Sequence, residues 1–259
     1  MTSQSSDRLV NDRREIPRTA DVAVIGGGIV GCSAAYYLAK AGFDTVLLDQ
    51  QGLCRDASGA TAGNIHLQLQ RNVDGPTVWT LDAIPAREME VIRARSNLHV
   101  AAANIWAGLE TEMGRDLGLK RPGGLMVAET PQEFAYLKLK AKLENALGIN
   151  TEVLTFREAR ELEPGLSEDL TGAVWCKEDG FADPLRVAPA FGSAILEAGG
   201  RIETWTCVEA IDREASGSYK VRTNHGALVA RYVVNAAGAG GAHVTAPASA
   251  GGQAGARAG

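Results

Sequence analysis

Apolar and polar positions along this chain follow two periods, and the switches between them mark its elements. Residues 21–25, Asp-Val-Ala-Val-Ile, are a short apolar run of strand type. Three glycines, Gly26 to Gly28, end it. Residues 29–41 then carry a helical pattern, and Gly42 suits the position just past a helix C-terminus. Val30, Ala34, Ala35, Tyr37 and Leu38 lie on nearly all sides of that helix, which predicts deep burial. Residues 45–49 read as a second apolar strand, of the kind buried in parallel sheets.

Helical patterns return near 76–95 and 100–117, with Pro85 placed to interrupt the first. A strand is expected over 123–128. Thr130-Pro131-Gln132-Glu133 is a capping box with proline at the first helical position. It opens a helix to about residue 147 with an apolar stripe of Ala135, Leu139, Leu143 and Leu147. Thr155-Phe156-Arg157-Glu158 repeats the box before a short helix that stops ahead of Pro164. Residues 173–176 read as a strand. Asp183-Pro184 starts a helix to residue 198, which Gly199-Gly200 ends. Strands are expected over 201–205, 219–223 and 228–235. Strands alternating with helices make the fold class α/β.

Composition narrows the function classes. The 259 residues can bury one large core or two small ones. Hydrophobic residues at 45% and charged residues at 22% are ordinary for a globular domain. A net charge of -5 argues against a nucleic-acid partner, which calls for a basic patch. No apolar stretch reaches the length of a transmembrane segment. Residues 1–18 read as a flexible arm without the apolar region of a secretory signal, and Asp7, Asp12 and Glu15 disfavour a transit peptide. Residues 241–259 belong to a tail read as disordered: from Ala239 onward eight alanines and six glycines leave little to bury. Cys32, Cys54, Cys176 and Cys207 form no close pair in sequence, which fits free thiols in a reducing cytoplasm, each a small buried hydrophobe. No His, Cys and Asp cluster has metal-ligand spacing.

The chemistry begins at Gly26-Gly27-Gly28-Ile29-Val30-Gly31, a GxGxxG sequence between a strand and a helix. In that setting Gly26 allows a tight turn, Gly28 a close approach to a pyrophosphate, and Gly31 close packing of helix on strand. The helix N-terminus at Ile29 and Val30 offers amide N–H groups and positive dipole to phosphates. Asp49, followed by Gln50, falls at the end of the second strand, where a carboxylate can accept from an adenosine ribose. The bland alternative is a glycine-rich turn and a surface aspartate. The βαβ unit alone does not choose between FAD and NAD.

The next loop, Asp56 to Asn64, is rich in small residues. With it the chain resembles the FAD-dependent amine and amino-acid oxidoreductases related to D-amino-acid oxidase, glycine oxidase and sarcosine oxidase. In that family a Ser-Gly…Ala-Gly loop runs along the FAD diphosphate; here it is Ser58-Gly59, Thr61 and Ala62-Gly63. Three later stretches are similar in the same order. They are Arg121-Pro-Gly-Gly-Leu-Met-Val127, Asp179-Gly-Phe-Ala-Asp183-Pro184 and Val233-Val-Asn-Ala-Ala-Gly238. The resemblance implies that Val208 meets the adenine through its backbone and that Ala237 and Gly238 lie by the cofactor. It also implies a Rossmann-like FAD-binding domain interleaved with an α+β substrate domain. The implied boundaries are 19–95 and 173–240 for the FAD domain and 96–172 for the substrate domain.

The family's chemistry oxidises a C–N bond by hydride transfer to flavin, with an amino acid or secondary amine as substrate and oxygen or a quinone as acceptor. His66 and Gln68 directly follow the loop and are candidates to face the flavin; the alternative is that both are polar residues satisfied by local contacts. His66 follows Gly63 rather than preceding the Ala-Gly step, so the resemblance implies noncovalent FAD. Relatives continue well past the Asn-Ala-Ala-Gly motif, which implies a C-terminally truncated chain with an incomplete substrate domain. A second reading is then a catalytically incompetent fragment or a subunit completed by a partner chain. A third, an NAD-dependent dehydrogenase, is disfavoured by the loop.

Overall fold

The structure is a computed structural model that describes residues 15–69 and 84–245. The chain divides into two compact units, Met1–Thr61 with Val187–Gly259, and Ala62–Arg186. The second is thus inserted within the first. It takes in residues 62–95 and 173–186, which the sequence boundaries had given to the first. Residues 1–14 and 246–259, which hold most of the expected arm and tail, lie outside the described residues.

The first unit opens with β1 (Thr19–Ile25), α1 (Ile29–Lys40) and β2 (Thr45–Leu48). β1 and β2 pair in parallel, with Val22 opposite Thr45 and Ile25 opposite Leu48. All four residues of β2 are buried. Each of its leucines contributes about 1.5–3 kcal/mol by leaving water. α1 is less engulfed than its composition implies. Gly31, Cys32, Ala35, Tyr36 and Ala39 are buried, while Val30 is 66% exposed. One apolar stripe packs, and Val30, on the other side, does not.

The second unit follows with β3 (Asn64–Ile65), α2 (Ala86–Met113), β4 (Gly124–Ala128), α3 (Pro131–Ala146) and β5 (Thr151–Thr155). Then come α4 (Phe156–Leu162), β6 (Gly172–Cys176) and β7 (Gly180–Phe181). α2 is one 28-residue helix where two were expected, and it ends at Gly114 in the left-handed conformation. Pro85 stands at its N-cap rather than inside it, where its fixed φ costs nothing. The part of the first expected helix before residue 84 lies outside the described residues. β6 is the centre of an antiparallel sheet ordered β4-β6-β5, and β3 pairs with β7. Both capping boxes form both of their reciprocal bonds, Thr130 with Glu133 and Thr155 with Glu158.

α5 (Pro184–Glu197) leads back into the first unit. There the ring of Phe191 meets Tyr36 of α1 edge-on at 6.0 Å. β8 (Arg201–Glu203), β9 (Val208–Arg213), β10 (Tyr219–Thr223) and β11 (Gly226–Asn235) complete a six-stranded sheet ordered β8-β2-β1-β11-β10-β9. β8, β2, β1 and β11 are mutually parallel, and β9 to β11 form an antiparallel meander. Ala23, Ile25, Val46, Leu48, Val221 and Leu228 pack together within this unit. Ile16 joins that cluster, so the expected arm is anchored from there on. The chain past Gly238 is also ordered further than expected: a 3-10 turn, Gly238–Gly240, runs into α6 (Gly241–Thr245). Asn235 holds this turn by donating to the Gly241 carbonyl at 3.0 Å and accepting from the Ala237 N–H at 3.2 Å.

Candidate functional site

The parallel strands of the first unit end together, and their ends build a cavity of about 560 Å³. That lies within the range of roughly 300–1,000 Å³ usual for small-molecule and cofactor sites. Two backbone bonds fix the floor. Gly26 donates to the Leu48 carbonyl and Ala236 donates to the Ile25 carbonyl, both at 2.8 Å. Gly26 has φ of +102°, and a Cβ there would stand 2.4 Å from the Ala236 oxygen. A Cβ on Gly31 would stand 1.8 Å from the Gly26 oxygen. The turn therefore closes only with glycine at both positions.

α1 starts directly on this turn. Its N-cap, Gly28, supplies no side chain, and the first helical turn holds no acidic residue. The positive end of the helix dipole is left for an anion. Ser58 reaches back to accept from the Ile29 N–H at 3.1 Å, which pins the following loop to the helix start. Asp49 organises the opposite wall. One carboxylate oxygen accepts from the Gly27 N–H at 2.6 Å and the other from the Gln51 N–H at 2.7 Å. An ionised carboxylate has about four acceptor sites, so both oxygens retain capacity for a ribose hydroxyl. The Asp49 carbonyl accepts from the Thr206 N–H at 2.8 Å, drawing the segment before β9 to the same rim.

Of the residues expected from the sequence to bind a dinucleotide, Gly26, Gly28, Ile29, Val30, Asp49 and Gln50 line this cavity. So do Ser58, Val208, Ala237 and Gly238. Gly31 lies beneath it, against the turn. Gly59 packs on the Cys54 carbonyl and Thr61 is exposed, and neither lines the cavity. Ala62 and Gly63 belong to the second unit, where the Gly63 carbonyl accepts from Ala182 N–H at 3.0 Å. The sequence reading missed Arg55, Thr206 and Cys207 in the lining. Arg55 was findable, as the basic residue between the acidic strand end and Ser58-Gly59.

His66 and Gln68 fall in the second unit. Gln68 is buried, donating to the Gly124 carbonyl at 3.0 Å and to Asp179 at 3.2 Å, while its oxygen accepts from Lys140 at 3.2 Å. His66 is exposed, with Nδ1 3.6 Å from Asp179 Oδ2. Asp179 also accepts from the Leu67 N–H at 2.8 Å. Lys140 and Glu144, both fully buried on α3, pair at 2.5 Å, and Glu144 accepts from the Leu69 N–H at 2.7 Å. Burial raises the Glu144 carboxyl above the usual carboxylate range, against the pull of Lys140. Nothing in the sequence marked Lys140 and Glu144, which stand outside the apolar stripe expected of this helix.

The thiols divide by environment. Cys32, Cys54 and Cys176 are buried as expected, but Cys207 is exposed. Burial pushes the Cys176 thiol up to about 12. The Cys32 thiol is held well above the usual range, first by its hydrogen bond to Cys54 and then by burial. In the native chain Cys207 should therefore take up a maleimide first. Because it lines the cavity, millimolar ADP should slow that labelling severalfold; unchanged labelling at saturating ADP would place the nucleotide elsewhere.

A family model matches residues 21–254: DAO, FAD dependent oxidoreductase. The chain belongs to this family. FAD is the family's cofactor, and the cavity suits its ADP half: for the diphosphate, a glycine turn at a helix start whose N-cap, Gly28, carries no side chain, and Asp49 beside it for the ribose. Human mitochondrial sarcosine dehydrogenase is 30% identical over 236 residues, 87% of this chain and 23% of that protein. The mouse mitochondrial pyruvate dehydrogenase phosphatase regulatory subunit is 30% identical over 227 residues, 86% of this chain and 23% of that protein. Among solved structures, glycine oxidase from Geobacillus kaustophilus superposes with a TM-score of 0.73 at 27% identity, covering 88% of this chain and 58% of that one. The chain thus spans about a quarter of those two curated relatives and rather more than half of the solved structure. Among the described residues no helix is long and apolar enough to cross a membrane.

Proposed function

We propose that this chain binds FAD noncovalently and serves the oxidation of a C–N bond in an amino acid or secondary amine. The observation that carries the reading is the cavity at the ends of β1, β2 and β11, where the family's glycine turn, Asp49 and Ala237-Gly238 converge. When bound, FAD supplies the two-electron acceptor for a hydride leaving the carbon next to nitrogen. The chain's own residues do the rest. The α1 N-terminus holds the diphosphate, Asp49 orients the ribose, and Val208 borders the adenine. His66 is the proposed titratable group for the substrate amine, since it is exposed and follows the loop directly in sequence, while the Gln68 amide is consumed by its three contacts. Oxygen or a quinone takes the electrons onward, and a reducing cytoplasm suits the chain's free thiols.

The purified chain tests this directly. Flavin absorption that bleaches on adding sarcosine, proline or another amine supports it, and peroxide release on re-aeration names oxygen as acceptor. A colourless protein that FAD cannot reconstitute sinks it. Asp49→Asn, which keeps the shape but loses charge, should weaken FAD about 10- to 100-fold by titration, as expected for a hydrogen bond to a charged group. A second reading, a flavin-binding subunit that acts through a partner chain, is favoured by one relative being named a regulatory subunit. Bound flavin that no amine bleaches would point there.

A further inference from the structure

α2 carries two faces. One faces inward: Ser96 and Ala103 are buried, and Met89, Ile92 and Val100 pack on the second unit's core, while Leu109 and Met113 are buried at the C-terminal end of the helix. The other is apolar and open to solvent. Val91, Leu98 and Ile105 are 55%, 72% and 49% exposed and stand seven residues apart. Ala94, Ala101 and Gly108, also exposed, stand seven apart and three after each of them. Together they occupy successive a and d positions of a heptad pattern, with the large residue always at a and the small one always at d. A straight helix drifts only about 20° per heptad, so two repeats keep the stripe on one face.

We infer that two copies of this chain pair through this face of α2 as an antiparallel helix pair. The stripe is complementary to itself in that direction. With the two-fold axis between Leu98 and Ala101, Val91 meets Gly108 of the second copy, Ala94 meets Ile105 and Leu98 meets Ala101. Every large side chain then faces a small one, so the helices approach closely without voids. The ends agree in charge, since Arg87 falls opposite Glu112. A parallel, in-register pair is disfavoured on both counts. It stacks Leu98 on Leu98 and leaves gaps at the alanine layers, and it sets Arg87 against Arg87 and Glu112 against Glu112. The seam runs for about 26 Å at 1.5 Å per residue.

Sedimentation of the full chain at micromolar concentration should give twice the monomer mass. Leu98→Glu buries two unpaired carboxylates in such a pair, so it should raise the dimer dissociation constant at least about a hundredfold, with unchanged circular dichroism. Direction is read by cross-linking in a Cys207→Ser background. An equimolar mixture of Val91→Cys and Gly108→Cys chains should form a disulfide on mild oxidation, and Val91→Cys alone should not. A chain that stays monomeric, a dimer that survives Leu98→Glu, or Val91→Cys chains that cross-link with themselves would each overturn the proposal.

Discussion

Replacing Gly31 with alanine should cost the chain at least about a hundredfold in FAD and ADP affinity, equivalent to roughly 2.7 kcal/mol or more. The reason is steric and local. The added Cβ would stand 1.8 Å from the Gly26 oxygen, and the Ala236 side chain closes the space behind it at 3.4 Å. Something must move, and what can move is the Gly26 turn. That turn is tied by backbone bonds to Leu48 and, through Ile25, to Ala236, so displacing it shifts the α1 N-terminus and the Gly27 N–H that Asp49 holds. Overpacking of this kind also lowers stability, typically by about 1–3 kcal/mol. Lost binding must therefore be separated from lost folding. Gly42→Ala is the control: Gly42 has φ of +88° with nothing within 4 Å of an added Cβ, so it strains the backbone but leaves the cavity alone. Thermal melts should place both variants below the parent, while equilibrium dialysis with ADP should show a loss for Gly31→Ala only. Parental ADP affinity in Gly31→Ala would remove the glycine turn from the site.

The βαβ unit was legible because its signals are stereochemical. Gly31 is required by a contact with Gly26 five residues away, Gly26 by its own positive φ as well as by the distant Ala236, and the spacing to Asp49 is set by one helix and one strand. The capping boxes were legible for the same reason, each being closed by bonds three residues apart. Elements that depend on distant partners were not. β5 and β9 were missed because their residues are mixed in polarity: a single residue of Thr151–Thr155 is buried, on the edge of a small sheet. α2 was split in two because Ser96, Asn97 and His99 interrupt its apolar pattern, yet Ser96 is buried and the helix runs through. The later motifs gain their meaning only in space. Gly123-Gly124 and Asp179-Gly180 looked like two separate resemblances, but a Cβ on Gly124 would stand 2.6 Å from the Asp179 carboxylate. The expected stripe on α3 was out of phase. Ala135 is exposed and Leu139 and Leu147 are half-buried, while the buried face runs through Tyr136, Leu137, Lys140, Ala141, Leu143 and Glu144. Periodicity scores charges as surface, and it fails where two charges are buried as a pair.

That pair supports the second large prediction: Lys140→Met should destabilise the chain by about 3–5 kcal/mol, a fall in melting temperature on the order of 10 °C. The loss does not come from the ion pair's net worth, which buried pairs rarely have in large measure. It comes from what remains, an uncompensated carboxylate at Glu144 that also holds the Leu69 N–H, and a Gln68 oxygen without its donor. The sign of the pH response follows. Burial raises the Glu144 carboxyl, and Lys140 opposes that rise. Removing Lys140 raises the folded-state value further above the unfolded value of about 4.3. A carboxyl raised on folding destabilises above its folded value and ceases to do so below its unfolded value. The deficit of Lys140→Met against the parent should therefore be largest at pH 8 and shrink as the pH falls toward 5. Adding Glu144→Leu should restore most of the stability and flatten that dependence, because two apolar groups of similar volume leave no buried charge. A Lys140→Met deficit below about 1 kcal/mol at every pH would mean that water reaches the pair. The amides of Leu67 and Leu69 give an independent readout. They are held by Asp179 and Glu144, so the variant should exchange faster at Leu69 than at Leu67, which keeps its aspartate. Segment 66–69 carries His66 and runs on directly from Gly63. A loss confined to Leu69 would thus show that α3 fixes the far end of the segment on which the proposed chemistry depends.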